Sequence, residues 1–138
     1  MSAVPITLPP LTYRDKLALV AEILPLYVRA RWEMRRPDVR IMVEHLRGNR
    51  ADELREEFPQ ARRLGRAVAR TLSVLPTDNR CLARSLVLDA MLSRRHLQSV
   101  LIIAVRAEPE FAAHAWVEHA GLPLLAPGSS AYRRILEL

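Results

Sequence analysis

Several things are scarce in this chain, and each shortage excludes something. One cysteine, Cys81, occurs in 138 residues. No disulfide can close within the chain, and a lone thiol suits a reducing compartment. Aromatic residues make up only 5%, so the core has to be built mostly from Leu, Val, Ile and Ala. No apolar run reaches the ~20 residues needed to cross a bilayer. The most apolar early stretch, Leu17 to Val28, is too short and contains Glu22 and Pro25. The opening ten residues carry three prolines and none of the basic charge of a secretory signal. A cytoplasmic protein without a transmembrane segment is expected. One Cys and four scattered His offer no recognisable metal-ligand spacing, so neither metal nor cofactor is expected.

Lysine is scarce too. Lys16 is the only one, and arginine supplies nearly all of a net charge of +6 and a pI near 10.6. Much of it is interleaved with acids, the pattern of solvated helix faces. The most basic face carries Arg62, Arg63, Arg66 and Arg70. It lacks a DNA-reading motif and an RNA-stacking aromatic pattern. Nucleic acid is therefore not expected as a partner; a solvated face or a dock for an acidic protein fits better.

What is present reads as one domain of α+β class, helices first. After a Pro-rich arm, Thr12 and Asp15 have a capping-box spacing. Leu17, Val20, Ala21 and Leu24 then recur as an apolar stripe, and Pro25 should kink or split that helix. Asp38 caps a short helix with the stripe Val39, Met42, Val43 and Leu46, closed by Gly48. His45 beside this stripe reads as a packing or surface residue. Residues 50–58 are expected to form one or two helical turns. Pro59 then suits the first position of a helix carrying Leu64, Ala67, Val68 and Leu72.

A connector at 75–79 leads to a helix from about Arg80 to Arg95. Val100 to Val105 is a run of apolar, mostly β-branched residues, suited to a buried strand. Residues 107–110 read as a hairpin loop. Phe111 to His119 returns as a strand with His114, Trp116 and Glu118 on one face. Leu122 to Leu125 would complete a three-stranded meander, and Tyr132 to Leu138 reads as a tail or a last helical turn.

The chemistry gathers at Cys81 and His114. A thiol at a helix N-terminus meets the positive end of the dipole and several free N–H groups, both of which favour the thiolate. Those N–H groups can also hold an oxyanion, and Arg80 and Arg84 add positive charge. A histidine on a strand packed against that helix can act as base and then acid. Spacing alone leaves another reading open: Cys81 as a buried small apolar residue and His114 as a satisfied core histidine. His96 and His119 are weaker candidates for a chemical role.

Two blocks, Asn79-Arg80-Cys81-Leu82-Ala83-Arg84-Ser85-Leu86 and Phe111-Ala112-Ala113-His114-Ala115-Trp116-Val117-Glu118, lie either side of Leu101-Ile102-Ile103-Ala104-Val105. With Gly121 and Pro123 they resemble the lasso peptide leader peptidase family, over about residues 75–138. The resemblance implies a helical region, residues 1–74, followed by a papain- or transglutaminase-like cysteine protease core, residues 75–138. It implies Cys81 as nucleophile and His114 as its base. It further implies removal of the leader from a ribosomally made precursor peptide. A chain this short, with no winged-helix recognition domain ahead of the protease, resembles the split form, which works with a separate leader-recognition protein. The ATP-dependent macrolactam cyclase is a further candidate partner.

In that family's pattern the third catalytic member is an acid about twelve residues after the histidine. Here the segment reads Pro123-Leu124-Leu125-Ala126-Pro127, with no acid. Glu118 shares the histidine's face but lies roughly 13 Å along the strand, too far to orient the ring, and reads as a surface or supporting residue. A dyad, a backbone carbonyl or a residue from elsewhere are the remaining options. Two rival functions stand beside proteolysis: a non-catalytic scaffold for leader and partner, and acyl transfer to an amine.

Overall fold

The computed structural model describes residues 8–48, 54–75 and 80–138. Helix α1 spans Tyr13–Glu33, and its start is held by the expected capping box between Thr12 and Asp15. Pro25 lies inside a continuous helix rather than splitting it. The apolar stripe expected to be buried is not the one that is. Ile23, Leu26 and Ala30 face the core, whereas Leu17 and Leu24 are 51% and 40% exposed. α1 is apolar around most of its girth, so the pattern alone could not choose a face. The buried choice brings Glu22 to Arg95, with an N–O distance of 2.7 Å.

α2, Val39–Arg47, is capped by Asp38, whose Oδ1 accepts from the Arg40 N–H at 2.9 Å. It buries Met42, Val43 and Leu46 and ends at Gly48, whose φ of 62° is one that only glycine adopts readily. Residues 54–57 are not helical as expected; residues 50–53 lie outside the described residues. Arg55 forms an isolated parallel bridge with Leu97, donating to the His96 carbonyl and accepting from the Gln98 N–H. Those backbone groups are therefore engaged with another segment and cannot close a helical turn. α3, Phe58–Ser73, carries Pro59 in its first turn and buries Ala61, Leu64, Val68 and Leu72. The connector at 76–79 lies outside the described residues.

α4, Arg80–Arg94, is the central helix. Leu86, Val87, Leu88, Ala90, Met91 and Leu92 are all buried, because α1, α2 and α3 surround it on one side and a sheet covers the other. The sheet consists of β1 (Val100–Arg106), β2 (Ala112–His119), β3 (Leu122–Pro123) and β4 (Arg133–Glu137) in the antiparallel order β3-β2-β1-β4. The expected meander is present as β1, β2 and a β3 shorter than expected, and β4 adds a fourth strand where a tail or last helical turn was expected. β1 has a second edge whose N–H and C=O groups need partners, and β4 pairs along it. The pairing continues as mutual Leu101–Leu138 backbone bonds of 2.8 and 2.9 Å.

Alternation along the strands divides the sheet's two faces. Leu101 and Val117 join the helical core. Ile102, Ala104 and Trp116 form a second, smaller cluster under Tyr132 and Leu125. One buried polar network ties the layers together. Arg47 holds both oxygens of the buried Asp89, at 2.7 and 2.9 Å, and donates to the Leu138 carbonyl at 2.9 Å. The Ser99 hydroxyl donates to the same carboxylate at 2.7 Å. Asp89 thus enters the core fully paired, the condition under which a buried charge is tolerated.

Candidate active site

Cys81 is the second residue of α4 and is half-buried. The thiol lies in the first turn, where backbone N–H groups have no intrahelical acceptor. Its carbonyl accepts from the Ser85 hydroxyl at 2.7 Å, a back-bond one turn along that satisfies the hydroxyl within the helix. Arg84 is also one turn from Cys81, and its Nε is shielded from solvent, with no hydrogen-bond partner among the described residues. The side chain of Arg80 lies outside the described residues.

His114 is the third residue of β2, opposite Ala104 on β1. Its Nε2 lies 2.7 Å from the carbonyl oxygen of Ala126. A carbonyl only accepts, so Nε2 carries the hydrogen and donates it. In the neutral ring that leaves the Nδ1 lone pair free as a base. Ala126 is twelve residues after His114, where an acid was sought, and the backbone supplies the orienting acceptor in its place. The segment that presents it is tied to the β2 edge: His119 and Glu118 pair with Leu122 and Pro123, and the Leu124 N–H donates to the Val117 carbonyl at 2.9 Å.

The imidazole is also flanked by the Trp116 and Tyr132 rings, with centroids 5.7 and 5.8 Å away. Trp116 is buried, and its indole N–H donates to Glu118 at 3.1 Å. Of the two readings of Glu118, surface or supporting, the structure favours the supporting one; it is 8% exposed and pairs with Arg134 at 2.8 Å. The hydrogen bonds that Arg134 donates to Glu118, seconded by the one to Glu137, hold its guanidinium further above its ordinary range. Arg134 in turn lies over the Trp116 ring. Glu118 therefore acts through Trp116 and fixes the wall against which His114 stands.

Both candidates lie on packed elements, since α4 packs against β1 and β2. The faces differ, however. α4 covers the face bearing Leu101 and Val117, whereas His114 stands on the other with Trp116. Among the described residues no hydrogen bond joins the Cys81 and His114 side chains.

The other histidines have identifiable partners or surroundings. His119 is buried, with Nδ1 2.6 Å from the Gln98 carbonyl and Nε2 accepting from the Glu57 N–H at 2.9 Å. Both nitrogens are satisfied, as in a structural histidine. His45 Nδ1 lies 3.2 Å from the Glu33 carboxylate. His96 is exposed in the turn after α4, with φ of 56°. Among the described residues no group of three or more His, Cys, Asp or Glu could hold a metal ion. No helix there is long and apolar enough to cross a membrane.

Comparison with known proteins adds one finding. A family model described as the Transglutaminase-like superfamily matches residues 24–137. No curated protein and no solved structure matches the chain. Because the family match covers most of the sequence, the chain belongs to the Transglutaminase-like superfamily, which includes cysteine peptidases and acyltransferases.

Proposed function

We propose that this transglutaminase-like chain is a cytoplasmic cysteine protease that removes the leader from a ribosomally made lasso precursor peptide. It acts with a separate leader-recognition protein that presents the substrate, and the macrolactam cyclase follows it. The helical region, residues 1–74, braces a protease core at 75–138. The observation that carries the reading is the bond from His114 Nε2 to the Ala126 carbonyl. It gives the histidine a fixed tautomer and orientation, which a merely packed histidine would not need on the Nδ1 side left free.

Cys81 Sγ, having given its proton to His114 Nδ1, attacks the scissile carbonyl carbon. The resulting oxyanion is held by backbone N–H groups at the start of α4. The C–N bond breaks, Nδ1 gives the proton to the departing amine of the core peptide, and the leader's acyl group stays on sulfur as a thioester. Water then attacks that thioester, losing a proton to Nδ1, and the thiolate leaves and is reprotonated. The productive arrangement brings Sγ and Nδ1 into hydrogen-bond reach around the start of β2, tightening when the presented leader binds. The Ala126 carbonyl carries a dipole rather than a full charge. It orients the ring but stabilises imidazolium less than a carboxylate would.

A mass-spectrometric cleavage assay tests this, with the precursor peptide, the leader-recognition protein and the purified chain. Cleavage by the parent chain that vanishes in both Cys81→Ala and His114→Ala is expected. A parent chain that binds the presented leader but leaves it intact would favour a non-catalytic scaffold. The observation favouring that second reading is that the two side chains stand without a mutual hydrogen bond.

A further inference from the structure

A groove of about 580 Å3 runs between α1 and α3, closed at one end by the arm at 8–11. The Arg63 guanidinium holds that arm through the Pro9 carbonyl. The floor is apolar, with Leu11, Val20 and Phe58 among its lining residues. Its rim is cationic: Lys16 comes from α1, and Arg62, Arg66 and Arg70 come from α3. Those three arginines are four residues apart, one ridge along the helix. Like charges at this spacing destabilise a helix. Among the described residues none of these four cations has an ion pair, although Glu22, Glu33, Asp89 and Glu118 are each paired with an arginine elsewhere. The apolar floor also continues outwards. Leu17 and Leu24, three before and four after Val20, extend its ridge and are 51% and 40% exposed.

We infer that this groove docks an acidic amphipathic segment of a partner protein, its apolar side on Val20, Leu17 and Leu24 and its carboxylates on Arg62, Arg66 and Arg70. The arginines rise about 6 Å per step along α3, so carboxylates one helical turn apart meet them in register. Other occupants fit less well. The first seven residues of the chain have no carboxylate side chain, so they leave the rim unneutralised. A second copy would bring together two chains of net charge +6. A bilayer is a flat surface and does not fill a concave slot. Nucleic acid has no use for an aliphatic floor and would seek stacking aromatics. The inference concerns a surface on the α1–α3 side and holds whether or not Cys81 is catalytic.

The test uses a fluorescein-labelled synthetic peptide of about four helical turns, with glutamates on one side and leucines on the other. Anisotropy is read on the full chain. Binding about tenfold tighter than that of a scrambled peptide of equal charge is expected, because the scramble has no apolar side. Arg66→Glu/Arg70→Glu should abolish it, as should Val20→Asp. Circular dichroism establishes that each variant is folded; the two arginines are exposed, so the double variant keeps the test valid if Val20→Asp does not fold. Equal binding of the scramble would overturn the inference, as would undiminished binding by the double variant. So would tighter association with phosphatidylserine vesicles, or a dimer in sedimentation that the double variant dissociates.

Discussion

Gly65 is the position where a single methyl group should separate folding from function. It lies in the middle of α3, yet a Cβ built there would stand 2.7 Å from the Leu124 carbonyl oxygen and 3.3 Å from the Leu124 Cβ. An ordinary contact needs about 3.4 Å, so Gly65→Ala requires the strand-edge segment to retreat by roughly 0.7 Å. Leu124 is two residues from Ala126, and the two share one tether to the β2 edge. A retreat of that size along the His114–Ala126 bond, now 2.7 Å, would take it to about 3.4 Å, beyond a useful hydrogen bond. The stability effects oppose each other: overpacking costs about 1–3 kcal/mol, and replacing a mid-helix glycine by alanine returns up to about 1 kcal/mol. The melting temperature should fall by no more than about 10 °C, while leader cleavage drops about 10- to 100-fold. The His114 side-chain nitrogen resonances should report a lost Nε2 donor. Full cleavage and an unchanged His114 signature in folded Gly65→Ala would refute the idea that the Ala126 carbonyl sets the histidine.

Three further outcomes are expected. Burial pushes the Glu33 carboxyl up, but hydrogen bonds from His45 and Arg36, with their charges, outweigh it and hold the group below its ordinary range. Stability from this group is therefore present above about pH 4.3, the unfolded value, and is lost as pH falls through the lower folded value; Glu33→Gln should flatten an acid-unfolding curve in that window, and an unchanged curve would contradict the pairing. Arg47→Ala leaves Asp89 charged and buried beside Ser99, and a loss of about 3–5 kcal/mol in urea unfolding is expected. His119→Ala should lower stability by leaving the Glu57 N–H and the Gln98 carbonyl without their imidazole partner, yet the folded fraction should cleave at the parent rate.

The sequence nominates Cys81 and His114 as candidates because each sits at a punctuated point. Cys81 follows a cap-rich connector, and His114 lies on a strand with clear alternation. The orienting group was not readable, because a backbone carbonyl has no residue type. Ala126 becomes identifiable only when the β2 edge places it beside Nε2. The choice for Glu118 between surface and supporting residue stayed open because its partner, Arg134, lies on a strand the sequence disguised. Arg133-Arg134-Ile135-Leu136 has no clean alternation, and only the vacant edge of β1 makes it a strand. α1 was misread for the opposite reason. It has apolar residues on nearly every side, and tertiary packing chose Ile23, Leu26 and Ala30 over Leu17 and Leu24. Residues 54–57 look helical by composition, but their backbone is engaged by residues 96–98.

The most direct measurement is intact-mass analysis of an acid-quenched reaction of the chain with its presented precursor peptide. The mechanism predicts a transient adduct equal in mass to the leader acyl group, mapped to the peptide containing Cys81. It should be absent in Cys81→Ala and should form at least about a hundredfold more slowly in His114→Ala. Leader release without any such adduct, persisting in Cys81→Ala, would contradict it.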